Sequence, residues 1–154
     1  MSKKGLQDTY AAAATCFGCG PANEKGLQLK SFLSGNEVVA EWRAQPHHQA
    51  YMGALNGGII GCLLDCHCNW RACTHLMERD ALGAPPCTVT AGYEVTFLRP
   101  APSDETIHLR AEVVNSKGKR VVVAGELMVN DKVCATCEGT FVAVEPGHPA
   151  YHRW

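Results

Sequence analysis

A capping side chain, two glycines and a carboxylate stand in one short run of this 154-residue chain: Asn56-Gly57-Gly58, then Ile59-Ile60-Gly61-Cys62-Leu63-Leu64-Asp65. The first four N–H groups of a helix have no intrahelical acceptor and carry the positive end of its dipole. A helix beginning at Gly57 is therefore a place to hold an anion or an oxyanion. A carboxylate further along that helix is a candidate general base or nucleophile. Together these residue types point to chemistry on a carbonyl. Leu63, Leu64, Cys66 and Trp70 around Asp65 are poor surroundings for a merely solvated charge.

The spacing adds a constraint. Asp65 is eight residues beyond Gly57, which places it roughly 12 Å further along the axis. Attack on a carbonyl needs the reacting atoms about 3–3.5 Å apart. The two groups can serve one substrate only if they come from different subunits. Two antiparallel helices about a two-fold axis meet that condition by setting the start of one beside the middle of the other. Gly61, Asp65 and Asn69 form a small, polar stripe suited to such an approach.

The element that carries these residues is predicted to be a helix from about Gly57 to about Arg79. Ile59, Leu63, Cys66, Trp70, Cys73 and Met77 recur at alternating intervals of four and three, which gives one apolar face. Asn56 suits the N-cap, and Gly83, Pro85 and Pro86 end the region. Ala11 to Ala14 favour a short helix within a leading tail, followed by the glycine-rich turn Cys16-Phe17-Gly18-Cys19-Gly20-Pro21. Two strands are expected at Leu27–Leu33 and Val38–Arg43, then four after the helix at Cys87–Leu98, Thr106–Val114, Arg120–Val129 and Val133–Val144. In the first of these four, Val89, Ala91, Tyr93, Val95 and Phe97 alternate with Thr88, Thr90, Glu94 and Thr96.

This order predicts an α+β fold, one long central helix wrapped by a curved antiparallel sheet of about six strands, with sheet edges open to another chain. The expected organisation is a tail and turn over 1–22, one domain over 23–145 and a tail over 146–154.

Composition narrows the function classes. With 46% hydrophobic and 19% charged residues the chain is an ordinary globular one, and a formal net charge of -1 offers no general attraction to nucleic acid or anionic membrane. No segment approaches the roughly 20 apolar residues of a membrane helix. No secretory signal pattern precedes the domain, so the nine cysteines are read as reduced thiols and the protein is expected to be cytoplasmic.

The segment His47-His48-Gln49-Ala50-Tyr51-Met52-Gly53-Ala54-Leu55-Asn56-Gly57-Gly58 followed by Leu63-Leu64-Asp65 resembles the hotdog-fold acyl-CoA thioesterases, in particular their phenylacetate-degradation branch. Cys16-Phe17-Gly18-Cys19-Gly20 with Gly26-Leu27, Phe97-Leu98-Arg99-Pro100 and Lys117-Gly118-Lys119 add to the resemblance, which extends from about Cys16 to Val144.

It implies hydrolysis of an acyl-CoA thioester in a homodimer, or a dimer of dimers, with coenzyme A present only as part of the substrate and no cofactor or metal. By the same resemblance the Gly57 amide is the oxyanion donor and Asp65 is the base or nucleophile contributed across the dimer. Thr90 orients water, and Gly58 and His48 line the substrate site. The hairpin Lys117-Gly118-Lys119-Arg120 meets the phosphates of coenzyme A. Asn56 stands where most relatives have histidine, and Ala50 where some have asparagine. An amide caps the helix and donates a hydrogen bond, but it does not change protonation near neutral pH. The alternative function is a non-catalytic module that binds acyl-CoA as sensor or carrier.

Two cysteine pairs have the spacing of metal ligands. Cys134-x-x-Cys137 lies in a strand, where residues three apart point to opposite faces. Cys16-x-x-Cys19 with His148 and His152 has zinc-like spacing only if the two chain ends meet. Cys66, His67 and Cys68 are read as helix-packing residues.

Overall fold

The computed structural model describes residues 3–152 and Trp154. Met1, Ser2 and Arg153, which belong to the expected tails, lie outside the described residues. In chain order the elements are α1 (Leu6–Tyr10), β1 (Phe32–Ser34), β2 (Glu37–Trp42), a 3-10 turn (Pro46–His48), β3 (Gln49–Tyr51), β4 (Ala54–Leu55), α2 (Gly57–Arg79), β5 (Thr88–Phe97), β6 (Ile107–Lys117), β7 (Arg120–Val129) and β8 (Lys132–Ala143).

Six strands form one antiparallel sheet in the order β1-β2-β6-β7-β8-β5. The sheet curves around α2, which packs against β2, β5, β6, β7 and β8. This is the hotdog arrangement. Helix α2 has the bounds expected from the sequence, because cap and stop signals agree there with the apolar period. The first strand is shorter than expected: residues 27–31 belong to no strand, Gln28 among them having φ +57°, and only Phe32–Ser34 joins β2. The small β3–β4 hairpin just before α2 was not expected.

The apolar face of α2 is wider than the six-residue stripe suggests. Ile60, Leu64, His67, Cys68, Ala72 and Leu76 are buried as well as Leu63, Cys66, Trp70 and Cys73. A helix apolar on most sides is one covered on most sides. The sheet covers one side, where Gly125 of β7 sits so close that an added Cβ would lie 2.5 Å from Cys68 Sγ and 3.4 Å from Leu64 Cδ2. The N-terminal segment covers another, contributing Leu6, Ala11, Ala14, Cys19, Leu27 and Leu29 to the core.

Polar residues bind that segment to the helix. Gln7 Nε2 donates to Ser31 Oγ at 3.1 Å, and the Ser31 amide returns a bond to Gln7 Oε1 at 2.8 Å. Ser31 Oγ lies 2.9 Å from His67 Nδ1, and His67 Nε2 lies 2.8 Å from the Val38 carbonyl. A carbonyl only accepts, so Nε2 carries a proton. Burial lowers the pKa from 6.5 to about 4, so the imidazole is neutral near pH 7 and Nδ1 accepts from the serine hydroxyl.

Candidate active site

Asn56 ends the β4 approach and caps α2: its Oδ1 accepts from the Ile59 amide at 3.1 Å. Its own amide donates to the His48 carbonyl at 2.9 Å, which ties the helix start to the preceding 3-10 turn. Gly57 and Gly58 are the first two helical residues, half-buried and exposed respectively. Their N–H groups have no acceptor within the helix. Phe97 of β5 stands over this end, its ring atoms 3.5 Å from where a Gly57 Cβ would be.

Asp65 lies two turns further on, half-buried. Thr90 Oγ1 of β5 donates to its Oδ1 at 2.7 Å. Tyr93 lies beside Gly61, its hydroxyl 3.7 Å from the position of an added Cβ. Burial and then the Asp65 charge raise the Tyr93 pKa above its ordinary value, so the phenol stays protonated near Asp65.

The strict alternation expected for β5 fails here, for a reason that matters to the site. The pairing of β5 with β8 shifts register between Thr90 and Gly92, with Ala91 as the extra residue. A bulge inverts which side chains face inward beyond it. Thr88 and Thr90 therefore meet the helix, Thr88 through a 2.5 Å bond to Asn69 Oδ1, and so do Tyr93 and Phe97. Without the bulge, Thr90 and Tyr93 would lie on opposite faces.

The other residues singled out in the sequence are not all gathered here. His48 is buried, its Nδ1 accepting from the Gln45 amide at 2.8 Å, and its ring lies 5.2 Å from that of Trp42. Burial and then His47 lower its pKa. Lys117, Gly118, Lys119 and Arg120 form the β6–β7 turn, where Gly118 has φ +58°. Arg79, the last residue of α2, donates to the Gly118 carbonyl at 2.8 Å and Ser116 Oγ at 3.1 Å, and Lys119 pairs with Glu145. The basic hairpin thus sits at the far end of α2, roughly 30 Å from Gly57 of the same chain. Asp65 and Thr90 are brought together within one chain, while Gly57 and the hairpin are held at separate points along its helix.

A surface depression of about 630 Å³ is lined by Glu94, Glu126 and Glu138 on the outer side of the sheet and includes neither Asp65 nor Gly57. Its acidic lining repels a polyphosphate. The aromatic residues that β5 lays along α2 are instead exposed: Tyr93, beside Gly61, is 47% and Phe97, beside Gly57, 56% accessible.

All nine cysteines are free thiols. Cys137 bonds to Cys68 of α2, while Cys134 turns towards the Lys132 carbonyl at 3.6 Å. Cys66 is not simply a packing residue. Its Sγ lies 3.7 Å from Cys16 Sγ, and Cys16, Cys19 and Cys66 form a group with all three sulfurs within 4.8 Å of one another. Hydrogen bonds from Cys19 and Cys66 lower the Cys16 pKa, the bond with Cys16 raises that of Cys19, and bonds with Cys16, Cys19 and Cys62 raise that of Cys66. Trp154 stacks on Trp70 of α2 at 4.7 Å and lines one depression with Ala11, Cys16 and Cys19, so the two ends of the chain come together there, but His148 and His152 are not in the thiol group. The signal for Cys66 in the sequence was its place four residues after Cys62, opposite a C-x-x-C turn.

Comparison with known proteins gives the family and the fold. The sequence profile of the thioesterase superfamily matches residues 52–136, more than half the chain and the whole of α2 with its helix start. The chain belongs to the thioesterase superfamily. Among solved structures, a thioesterase superfamily protein from Shewanella loihica is 28% identical, with 81% of this chain and 98% of that one covered and a TM-score of 0.64. A phenylacetic acid degradation-related protein from Ralstonia eutropha (22% identical, 82% and 92% covered, TM-score 0.67) shares the fold. So does the PaaI protein of the phenylacetic acid degradation operon of E. coli (17% identical, 80% and 85% covered, TM-score 0.67). No curated protein matches. Among the described residues, no helix is long and apolar enough to cross a membrane.

Proposed function

We propose that this protein is an acyl-CoA thioesterase whose active sites are shared between two copies of the chain. The observation that carries the reading is the Asp65–Thr90 bond, which fixes a half-buried carboxylate on the central helix of a thioesterase-superfamily fold. Asp65 accepts a proton from water as that water attacks the thioester carbonyl. The developing oxyanion accepts a hydrogen bond from the Gly57 amide of the partner copy, supported by the helix dipole. The tetrahedral intermediate then collapses, the C–S bond breaks, and the coenzyme A thiolate takes up a proton. Thr90 orients Asp65 and its water, and Asn56 holds the helix start in shape. Gly58 and His48 border the acyl entrance. Lys117, Lys119 and Arg120 around Gly118 meet the coenzyme A phosphates, a match of charge to charge.

Dimerisation is supported by β5. It pairs only with β8, leaving a ten-residue edge free within the chain, and it is exposed over most of its length. Two such edges side by side continue the sheet and cover Tyr93 and Phe97. They also bring two α2 helices together in the antiparallel sense that the Gly57–Asp65 spacing requires.

The test is thiol release from a panel of acyl-CoAs by the wild-type protein and by Asp65→Asn. Turnover that the substitution abolishes is the expected result. Asn56 motivates the second reading, since its oxygen is occupied by the cap and its amide has no proton to exchange near neutral pH. Acyl-CoA binding without turnover in both proteins would establish that reading, a binding module, and overturn the enzyme.

A further inference from the structure

We propose that Cys16, Cys19, Cys62 and Cys66 form a structural tetrathiolate site for one zinc ion, clamping the N-terminal segment onto the central helix. The sequence led to an expectation of no metal. The proposed ion serves the fold rather than the chemistry.

Four independent features converge on this site. The first is distance. Zinc–sulfur bonds of about 2.3 Å in a tetrahedron set the sulfurs about 3.8 Å apart. Cys16 Sγ and Cys66 Sγ are 3.7 Å apart, and the three sulfurs of Cys16, Cys19 and Cys66 lie within 4.8 Å of one another. A disulfide would need about 2.05 Å.

The second is the fourth ligand. Cys62 stands one turn before Cys66, and its thiol hydrogen-bonds to that of Cys66. It lies outside the three-way group but one helical turn from Cys66 on the same face, and the proposal has its sulfur turn towards the other three.

The third is the shape of the loop. The Gly20 amide donates to the Cys16 carbonyl at 2.8 Å, closing the C-x-x-C turn, and the Phe17 and Gly18 carbonyls accept from the Leu27 and Leu29 amides at 2.8 and 3.1 Å. A Cβ on Gly18 would lie 2.4 Å from Cys66 Sγ and 2.9 Å from Cys62 Sγ. The loop is thus built to lie directly against both helix thiols.

The fourth is the surroundings. Trp70 Nε1 donates to Cys19 Sγ at 3.4 Å, the kind of outer hydrogen bond that stabilises a metal-bound thiolate. Soft sulfur ligands in a tetrahedral set select zinc over hard divalent cations, and four protein ligands leave no position open for substrate. Binding replaces thiol protons with the ion, so loading releases protons and weakens as pH falls.

The experiment is metal analysis of the wild-type protein purified under reducing conditions, followed by cobalt(II) titration of the chelated, reduced protein. One zinc per chain is expected, together with the thiolate charge-transfer and tetrahedral ligand-field bands of a cobalt–sulfur site. Cys16→Ser and Cys62→Ser should each shift those bands and lower affinity at least tenfold, whereas Cys87→Ser, away from the cluster, should leave both unchanged. If a cluster variant fails to fold, protection of Cys16 from alkylation by added zinc in the wild-type protein answers the same question. Reduced wild-type protein that neither retains zinc nor shows thiolate–cobalt bands would overturn the site. A Cys62→Ser spectrum identical to the wild type would remove Cys62 from the ligand set and with it the tetrathiolate.

Discussion

Thr90 Oγ1 donates to Asp65 Oδ1 at 2.7 Å, a bond between the edge strand and the central helix that holds one carboxylate oxygen and leaves the carboxylate's direction set. A hydrogen bond to a charged group contributes about 1.5–3 kcal/mol. Thr90→Val keeps the side-chain volume and removes the donor. It should lower kcat by about ten- to a hundredfold and cost up to about 1.5–3 kcal/mol of stability, while Thr90→Ser retains most of both. Steady-state thiol release beside a melting curve measures both. An unchanged kcat in Thr90→Val would remove Thr90 from the catalytic arrangement.

Gly57 supplies its amide at the first helical position, where proline is well tolerated because its missing N–H has no helical partner to lose. Asn56 has φ -61° and ψ 133°, the conformation preferred before proline. Gly57→Pro should therefore fold and yet lose the oxyanion donor, with kcat down about a hundred- to a thousandfold. Mixed with Asp65→Asn under subunit exchange, it should recover up to about one quarter of wild-type activity, since a hybrid dimer holds one site with both groups intact. Absence of recovery after demonstrated exchange would argue that each chain is catalytically self-contained.

The close contact at Gly125 predicts a paired effect on stability. Gly125→Ala places a methyl 2.5 Å from Cys68 Sγ and should cost about 1–3 kcal/mol by overpacking. Cys68→Ala removes that sulfur, so the double variant should be more stable than the sum of the single changes predicts. Urea denaturation of all four proteins gives the coupling, and simple additivity would contradict the proposed clash.

His67 predicts a pH effect. Its folded-state pKa of about 4 is below the ordinary 6.5 of an unfolded chain. Between those values the unfolded chain takes up a proton that the folded chain refuses. The stabilisation is therefore full above about pH 6.5 and is lost as pH falls towards 4, on the order of 3 kcal/mol in all. His67→Gln can still donate to the Val38 carbonyl and accept from Ser31, but it does not titrate. Its stability should fall less between pH 7 and about pH 5 than that of the wild type. Parallel pH profiles for the two proteins would contradict the assignment of a neutral, buried imidazole.

Local signals made the frame legible. Asn56 as cap, the four-and-three period from Ile59 to Met77 and the stops at Gly83, Pro85 and Pro86 gave α2 its bounds, and the turn at Gly118 separated β6 from β7. The Asp65–Thr90 pair followed from the family resemblance rather than from strand alternation, which placed Thr90 and Tyr93 on opposite faces. One extra residue at Ala91 changed that, and a bulge leaves no periodic trace in a ten-residue strand. The N-terminal segment was illegible for another reason. Cys16 and Cys66 are fifty residues apart, and Gln7 reaches His67 only through Ser31. Contacts of that range depend on the assembled sheet and helix, not on neighbouring residue types.

The bulge at Ala91 also divides β5 into two sections with separate tasks. Before it, Thr88 and Thr90 anchor polar groups of α2; after it, Tyr93 and Phe97 furnish aromatic walling beside Gly61 and Gly57. Under the proposed function, substitutions at Tyr93 would reshape the space offered to an acyl chain while Thr90 keeps its hold on Asp65, a division of labour that an unbroken alternating strand would not provide.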